Sequence, residues 1–224
     1  MCLEENSSIK IAEYLIKPLL ISIYSGIDRG LLFYERRFMS VINMLKASVE
    51  SKVSVKKQAV GAAVAIIAAV MLPQLLHMAG RAVGVETSLG EILLPMHLPI
   101  ILVGLLAGPY AGMVAGFLAP LCSFAFSGMP TALMLPIITA EVLTYGFCAG
   151  IIKNFKMSML AKVFSVQIAG RIVRAIVTLL LIYAFGRTNI AVASIWNSVV
   201  TGLAGIAIQL VIIPFIVKRF SFED

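Results

Sequence analysis

The chain has 224 residues, of which 60% are hydrophobic and only 13% are charged, and its formal net charge is +7. Soluble globular domains carry about 25% charged residues and fewer apolar ones, so this composition excludes a soluble monomer and indicates an integral membrane protein. Cys2, Cys122 and Cys148 are few, odd in number and far apart in the sequence, so they predict neither a disulfide nor a metal site.

Residues 1–57 differ from the rest of the chain and are predicted to form a cytoplasmic or interfacial N-terminal extension. Apolar residues recur at helical spacing between residues 31 and 45, which indicates an amphipathic helix lying on the cytoplasmic membrane face. These apolar positions are Leu31, Tyr34, Phe38, Ile42 and Leu45. Alternatively, translation starts at Met39 or Met44 and the extension has no function.

Six apolar segments follow, and each is long enough to cross the hydrocarbon core as a helix, which takes about 17 to 25 residues. They cover residues 58–79, 92–108, 110–127, 132–152, 163–186 and 190–217. The segments lack the period-two alternation of a membrane β-barrel. The sequence therefore predicts an all-α membrane protein: a bundle of six transmembrane helices over residues 58–218, followed by a cytoplasmic tail at 219–224.

The distribution of lysine and arginine predicts the orientation, because cytoplasmic loops are enriched in these residues. Basic clusters precede the first segment, fill the loop after the fourth and follow the sixth. With six spans all three clusters lie on one side, which we expect to be cytoplasmic together with both termini. Their members are Lys46, Lys52, Lys56, Lys57, Lys153, Lys156, Lys162, Lys218 and Arg219. The net charge thus reflects membrane topology, and no nucleic-acid partner is inferred from it.

Three ionisable residues lie deep in the predicted spans: Glu141 in the fourth segment, and Arg171 and Arg174 in the fifth. Ionisable residues are costly within a bilayer and usually functional. In one interpretation Glu141 pairs with one arginine and only locks two helices together. That pairing leaves the other arginine without an acidic partner, so in the alternative interpretation an arginine meets the carboxylate or phosphate of a ligand.

Other polar residues are predicted near the outer ends of the segments and together suggest a pocket that is open to the outside. His97 lies in "PMHLP" at the start of the second segment, Met129 lies in the outer loop "SGMP", and Trp196 and Asn197 lie in the sixth segment. A histidine or tryptophan at this depth, taken alone, is more typical of an interface anchor.

Three further expectations concern the backbone and an amide side chain. Pro95 and Pro99 are expected to hold His97 in a non-helical segment, because each proline removes a backbone donor and restricts the residue before it. Gly108 and Pro109 are expected to form a tight turn. Gln209 is expected to hydrogen-bond between helices.

Several enzyme classes are disfavoured because their motifs are absent. The chain contains no G-x-x-x-x-G-K-[ST], H-E-x-x-H, C-x-x-C or G-x-S-x-G sequence, and its two histidines are too few for most intramembrane metal sites. We expect no catalytic residue, metal or cofactor in this chain. The alternatives are a self-sufficient secondary transporter of an organic anion, which would often show internal repeats with broken helices, and an intramembrane enzyme, for which no catalytic set is visible.

A resemblance to a known family accounts for the unusual second segment. The run "LLPMHLPIILVGLLAGPYAGMVAGFLAPLCSFAFSGMP" and the later "AEVLTYGFCAGII", "GRIVRAIV" and "GIAIQLVIIP" resemble the substrate-binding S component of energy-coupling factor (ECF) vitamin transporters. The resemblance covers roughly residues 55–218. It implies a prokaryotic plasma-membrane protein that binds a vitamin in a pocket near the outer surface, closed over by the loops between spans one and two and between spans three and four.

The resemblance also implies partners. Transport by such a protein requires a membrane T component and two ATPase subunits, which would supply the ATP-binding sites that this chain lacks. S components carry an A-x-x-x-A pattern in span one that contacts the T component, and two pairs fit it here, Ala59 with Ala63 and Ala65 with Ala69. These stripes are equally consistent with packing inside the bundle. The arginines favour an anionic ligand such as pantothenate, niacin, lipoate or a folate-like acid, and pantothenate is the leading guess. In the alternative, Glu141 neutralises the site and the ligand is uncharged.

Overall fold

The computed structural model describes residues 53–82, 84, 94–186 and 192–220, together with the isolated positions Arg36 and Met39. The chain divides into two units, Met1–Lys46 and Ala47–Asp224. Of the predicted amphipathic segment, only Arg36 and Met39 are described, and both are helical and exposed. The apolar positions predicted for this segment lie outside the described residues.

The described part of the second unit forms six helices and no strands. They are α1 (Val55–Ala82), α2 (His97–Ala107), α3 (Pro109–Ser127), α4 (Leu135–Ile152), α5 (Met159–Tyr183) and α6 (Ala193–Phe220). Five of them are long and apolar enough to cross a membrane, and α2, with 11 residues, is not. The prediction of an all-helical, multi-pass membrane protein is therefore confirmed, whereas the second predicted span is only partly helical within its described residues.

The short helix α2 begins at His97, and the preceding residues 94–96 are not helical. Eleven residues at about 1.5 Å each give a helix of roughly 16 Å, about half the hydrocarbon core. Pro99 lies in the first turn of α2, where an N–H would have no intrahelical partner in any case. The expectation that Pro99 keeps His97 in a non-helical segment is therefore wrong, because only Pro95 precedes the helix.

Helix α4 packs against α2, α3 and α5. Its contact with α3 passes through Gly146 and Gly112, where a Cβ added to either residue would overlap backbone atoms of the other. In lipid no hydrophobic force drives helices together, so small residues that let backbones approach are a main source of packing energy. Gly112 and Gly146 therefore allow α3 and α4 to pack closely.

The turn between α2 and α3 consists of Gly108 alone, with a φ of 109° that side chains disfavour. Pro109 is the first residue of α3, where its fixed φ suits a helix start. The predicted tight turn at these two residues is confirmed.

The bundle has two chemically different ends. At one end Lys153 Nζ donates to the carbonyl of Leu106 at 3.2 Å, and Lys162 Nζ donates to the carbonyl of Lys153 at 2.5 Å. Lys57 lines a groove beside Leu106, so the start of α1 lies at this end too. The opposite end carries residues 94–96, residues 128–134 and the start of α6. The basic clusters that are described therefore gather at the end where α2 and α4 finish.

We expect Gly112→Ala to destabilise the bundle, because the new methyl group would meet the backbone of α4. Overpacking of this kind costs about 1–3 kcal/mol, which lowers the melting temperature by several degrees for a chain of this size. Thermal unfolding in detergent measures the effect. Gly61→Ala is the matched control, since its methyl group would meet Val103 and Ala107 at ordinary contact distances of 3.4 and 3.5 Å. Equal melting temperatures for the two variants would contradict the packing.

Candidate functional site: a cavity beside a buried ion cluster

A cavity of about 660 Å³ lies at the end of the bundle opposite the basic clusters, next to the start of α2. Its volume is in the range of small-molecule sites. The non-helical residues 94–96, which precede the short helix α2, line this cavity. The other lining residues come from α1, the start of α2, α3, α4, α5, α6 and the segment before α4; they include Pro73, Gln74, His77, Ser123, Met129, Thr131, Met134, Ile138, Arg171, Arg174, Asn197 and Thr201.

Two buried glutamine side chains, linked by a hydrogen bond, provide a hydrogen-bond donor for the irregular backbone before α2. Gln209 Nε2 on α6 donates to the carbonyl of Leu94 at 3.1 Å, and Gln167 Nε2 on α5 donates to Gln209 Oε1 at 2.5 Å. Both glutamines are almost completely buried. Non-helical backbone is tolerated at membrane depth only where protein groups or a cavity satisfy it. The prediction that Gln209 hydrogen-bonds between helices is confirmed, and its partners hold one edge of the cavity in place.

A cluster of ionisable residues lies directly beside the cavity, centred on the fully buried Glu141 of α4. Arg171 Nη1 lies 3.1 Å from Oε1, and Arg174 Nη1 lies 2.6 Å from Oε2. The hydroxyl of Tyr145 donates to Oε1 at 2.9 Å. The carboxylate thus joins α4 to α5 by two ion pairs, and the pair with Arg174 is also a charge-assisted hydrogen bond, a kind about twice as strong as a neutral one.

Both arginines therefore share the single carboxylate. The interpretation in which Glu141 pairs with only one arginine is wrong, because the three-residue spacing of Arg171 and Arg174 brings each to a different carboxylate oxygen. Sharing does not balance the charge: two guanidinium groups and one carboxylate leave a net charge of +1. Nε and Nη2 of Arg171 are buried and have no hydrogen-bond partner among the described residues.

Two glycines make room for this cluster. A Cβ at Gly202 of α6 would lie 2.7 Å from Arg171 Nη2, and a Cβ at Gly170 of α5 would overlap the ring of Tyr145. Both glycines are buried. The positions of Arg171 and Tyr145 therefore depend on the absence of a side chain at these two sites.

His97, the first residue of α2, extends the cluster towards the cavity. Its ring packs edge-on against Tyr145 with the ring centroids 4.9 Å apart. His97 is buried and lines the cavity, and its Nδ1 has no partner in the described part of the chain. It is therefore placed to meet a ligand on one face while it supports Tyr145 on the other.

The structure brings together most of the residues that the sequence singled out for a substrate pocket. His97, Met129, Arg171, Arg174 and Asn197 all line the cavity. Glu141 does not line it but holds the two arginines that do. Trp196 is 69% exposed and does not line the cavity. This agrees with the alternative interpretation, in which Trp196 anchors the helix at the membrane interface.

The two alanine pairs of α1 differ in their surroundings. Ala65 and Ala69 are buried in the bundle core, packed with residues of α2 and α3. Ala59 and Ala63 are exposed on the surface of the helix. Of the two pairs considered from the sequence, only Ala59 and Ala63 are accessible to another protein.

Some lining residues were not recognised from the sequence. Gln74 and His77 of α1 line the cavity, and each carries a buried polar atom; Ser123 of α3 also lines it. The available signal was two polar residues three apart in an otherwise apolar helix, a spacing that puts them on one face. No group of three or more potential metal ligands occurs within the described ranges.

The helices and the cavity together place the protein in a broad class: multi-pass membrane proteins with a cavity of small-molecule size. A search of protein families narrows it: the family "ECF transporter, substrate-specific component" matches residues 54–217, and the chain belongs to this family. Searches of curated proteins and of solved structures found no match. Members of the family are membrane-embedded, transport-related binding subunits rather than enzymes, and membership implies a small-molecule substrate and T and ATPase partners.

We expect Glu141→Gln to destabilise the protein strongly, because it removes the only acidic partner that the described residues offer to two buried arginines. Breaking a buried ion pair from one side costs about 3–5 kcal/mol. Tyr145→Phe is the matched comparison, since it removes one hydrogen bond to the same carboxylate and should cost only about 1 kcal/mol. Thermal unfolding of the ligand-free protein measures both; a Glu141→Gln variant as stable as the parent would show that the cluster is not a structural link.

Proposed function

We propose that this chain is the substrate-binding subunit of an ECF importer for a small organic acid, a vitamin-like carboxylate of which pantothenate is the leading candidate. Separate T and ATPase subunits energise the transport. The observation that carries the proposal is Arg171: it lines the cavity, and two of its buried nitrogen atoms, Nε and Nη2, have no hydrogen-bond partner among the described residues.

The geometry of the guanidinium favours a carboxylate. Nη1 of Arg171 is already engaged by Glu141, which leaves Nε and Nη2. These two atoms form one edge of the guanidinium plane, and that edge matches the two oxygens of a carboxylate in a bidentate hydrogen bond. A bound carboxylate also neutralises the net charge of +1 that the cluster carries. A neutral ligand would leave that charge unbalanced in a low-dielectric environment.

The remainder of the cavity suits the body of a small organic acid. Its walls combine apolar side chains such as Met96, Met134 and Ile138 with a few separate polar groups. Sites for small molecules usually have this composition, in which apolar surface provides the burial and a few polar atoms set the orientation.

The proposed orientation has the cavity facing the outside of the cell. The basic residues of the α4–α5 loop and of the start of α1 lie at the opposite end of the bundle, and basic loops are retained in the cytoplasm. An inward basic end and an outward cavity are the arrangement that an uptake protein needs to capture its substrate.

The proposed docking surface for the T component is the exposed face of α1 that carries Ala59 and Ala63. Alanines four residues apart let a second helix approach closely in lipid. The other pair, Ala65 and Ala69, packs inside the bundle and is not available for this role.

We expect Arg171→Ala to weaken the binding of pantothenate at least about 100-fold, because two charge-assisted hydrogen bonds of about 1.5–3 kcal/mol each are lost. Arg171→Lys keeps the positive charge but lacks the two donor atoms of the guanidinium edge, so its affinity for pantothenate should lie between those of the parent and the alanine variant. Arg81→Ala, an exposed cation at the same end of the bundle and outside the cavity lining, is the control. Isothermal titration in detergent gives the affinities, and unchanged affinity in Arg171→Ala would contradict the proposed site.

Substitution of the exposed alanines should separate binding from transport. We expect Ala59→Leu and Ala63→Leu to abolish uptake of labelled substrate in cells that produce the T and ATPase subunits, while the purified variants bind substrate as the parent does. The cause is steric, since a leucine prevents close approach of a partner helix. Ala204→Leu, at an exposed alanine of α6, should transport normally. Full uptake by both α1 variants would remove this face from the proposal.

A further inference from the structure

Two polar side chains on α1 have no role in the ion cluster described above. Gln74 and His77 both line the cavity. Gln74 Nε2 and His77 Nδ1 are buried, and neither has a hydrogen-bond partner within the described residues. His77 is 9% exposed. The three-residue spacing places both groups on the same face of the helix.

Buried polar atoms without partners are uncommon in folded proteins, and each one calls for an explanation. The cost is higher in a membrane helix, because the surrounding lipid offers no hydrogen bonds. The rest of the buried face of α1 packs against the bundle through small residues such as Ala62, Ala65 and Ala69. Two polar side chains at the cavity are therefore not needed to hold α1 against the bundle.

These groups lie on a different wall of the cavity from the arginines. Helix α1 packs against α2 and α3, whereas Arg171 and Arg174 belong to α5, which packs against α4 and α6. A ligand whose acid group meets Arg171 therefore has another part of its body available to face α1.

We propose that Gln74 and His77 form a second, uncharged subsite, which binds a hydroxyl or carbonyl oxygen of the ligand whose carboxylate meets Arg171. The proposal rests on the proposed function and adds to it that the substrate is polar at both ends. The amide N–H of Gln74 requires an acceptor. A hydroxyl group suits His77 in either tautomer, because it both donates and accepts. An acid with a purely hydrocarbon or thioether tail would leave both groups unpaired and bind less well.

The test compares two acids that differ at the end remote from the carboxylate. Pantothenate carries an amide and hydroxyl groups there, whereas lipoate carries an apolar disulfide ring. We expect the parent protein to bind pantothenate at least 10-fold more tightly than lipoate. Gln74→Leu and His77→Leu should each reduce that ratio about 10-fold, and His77→Asn, whose amide can take the place of the ring Nδ1, should recover part of it relative to His77→Leu. Met78→Ala, at an exposed position of the same helix, should leave the ratio unchanged.

Thermal unfolding separates a binding role from a structural one. Removing a buried, unpaired polar atom should leave the melting temperature of ligand-free Gln74→Leu equal to or above that of the parent. A lower melting temperature, with both affinities reduced by the same factor, would assign Gln74 to the structure of the bundle and overturn the subsite.

The outcomes also distinguish this subsite from the proposed function. If the parent binds neither acid, or if Arg171→Ala binds both acids as the parent does, the anionic site itself fails and the subsite fails with it. If Arg171→Ala no longer binds either acid, while Gln74→Leu and His77→Leu show the same ratio of affinities for pantothenate and lipoate as the parent, the proposed function stands and the second subsite is overturned.

Discussion

The shared carboxylate of Glu141 is the interaction on which the site depends. It lies fully buried in α4 and binds one nitrogen of each arginine of α5. Charged groups in a low-dielectric environment are tolerated only when they are paired and hydrogen-bonded. Because one carboxylate serves two guanidinium groups, the cluster is held firmly in the bundle and still retains an excess positive charge. The same arrangement therefore provides both a structural link and an incomplete anion site.

One wall of the cavity depends on a backbone constraint. Helix α2 is well short of the length that crosses a bilayer, and residues 94–96 before it are not helical. Exposed peptide groups at this depth are costly, so they require partners inside the protein. Gln209 supplies one to Leu94, and Gln167 in turn holds Gln209. The non-helical residues before α2 thus line the cavity without leaving the carbonyl of Leu94 unsatisfied.

The sequence predicted these features unequally well. The length and hydropathy of the apolar segments located the long helices. The ion cluster was located because charged residues are rare in these segments: Glu141 is the only acidic residue between positions 92 and 222. The role of Pro99 was misjudged, because a proline is acceptable in the first helical turn and the local sequence does not show where that turn begins. Both arginines bind the carboxylate of Glu141 only because of the way α4 and α5 pack against each other, and this packing cannot be predicted from the sequence of either helix alone. Gln74 and His77 were overlooked because a lone amide in an apolar helix is ordinarily a helix-packing group.

Helix α1 connects the two surfaces that the proposals assign to it. Its exposed alanines lie near the basic end, and Gln74 and His77 lie at the cavity. Ala59 and Gln74 are about 15 residues apart, roughly 22 Å along a helix. The helix contacts only α2 and α3 among the main helix pairs of the described bundle, so it is less constrained than the central α4. A shift of α1 at the proposed docking surface would move Gln74 and His77 relative to Arg171, and would change the fit of any ligand that reaches both walls.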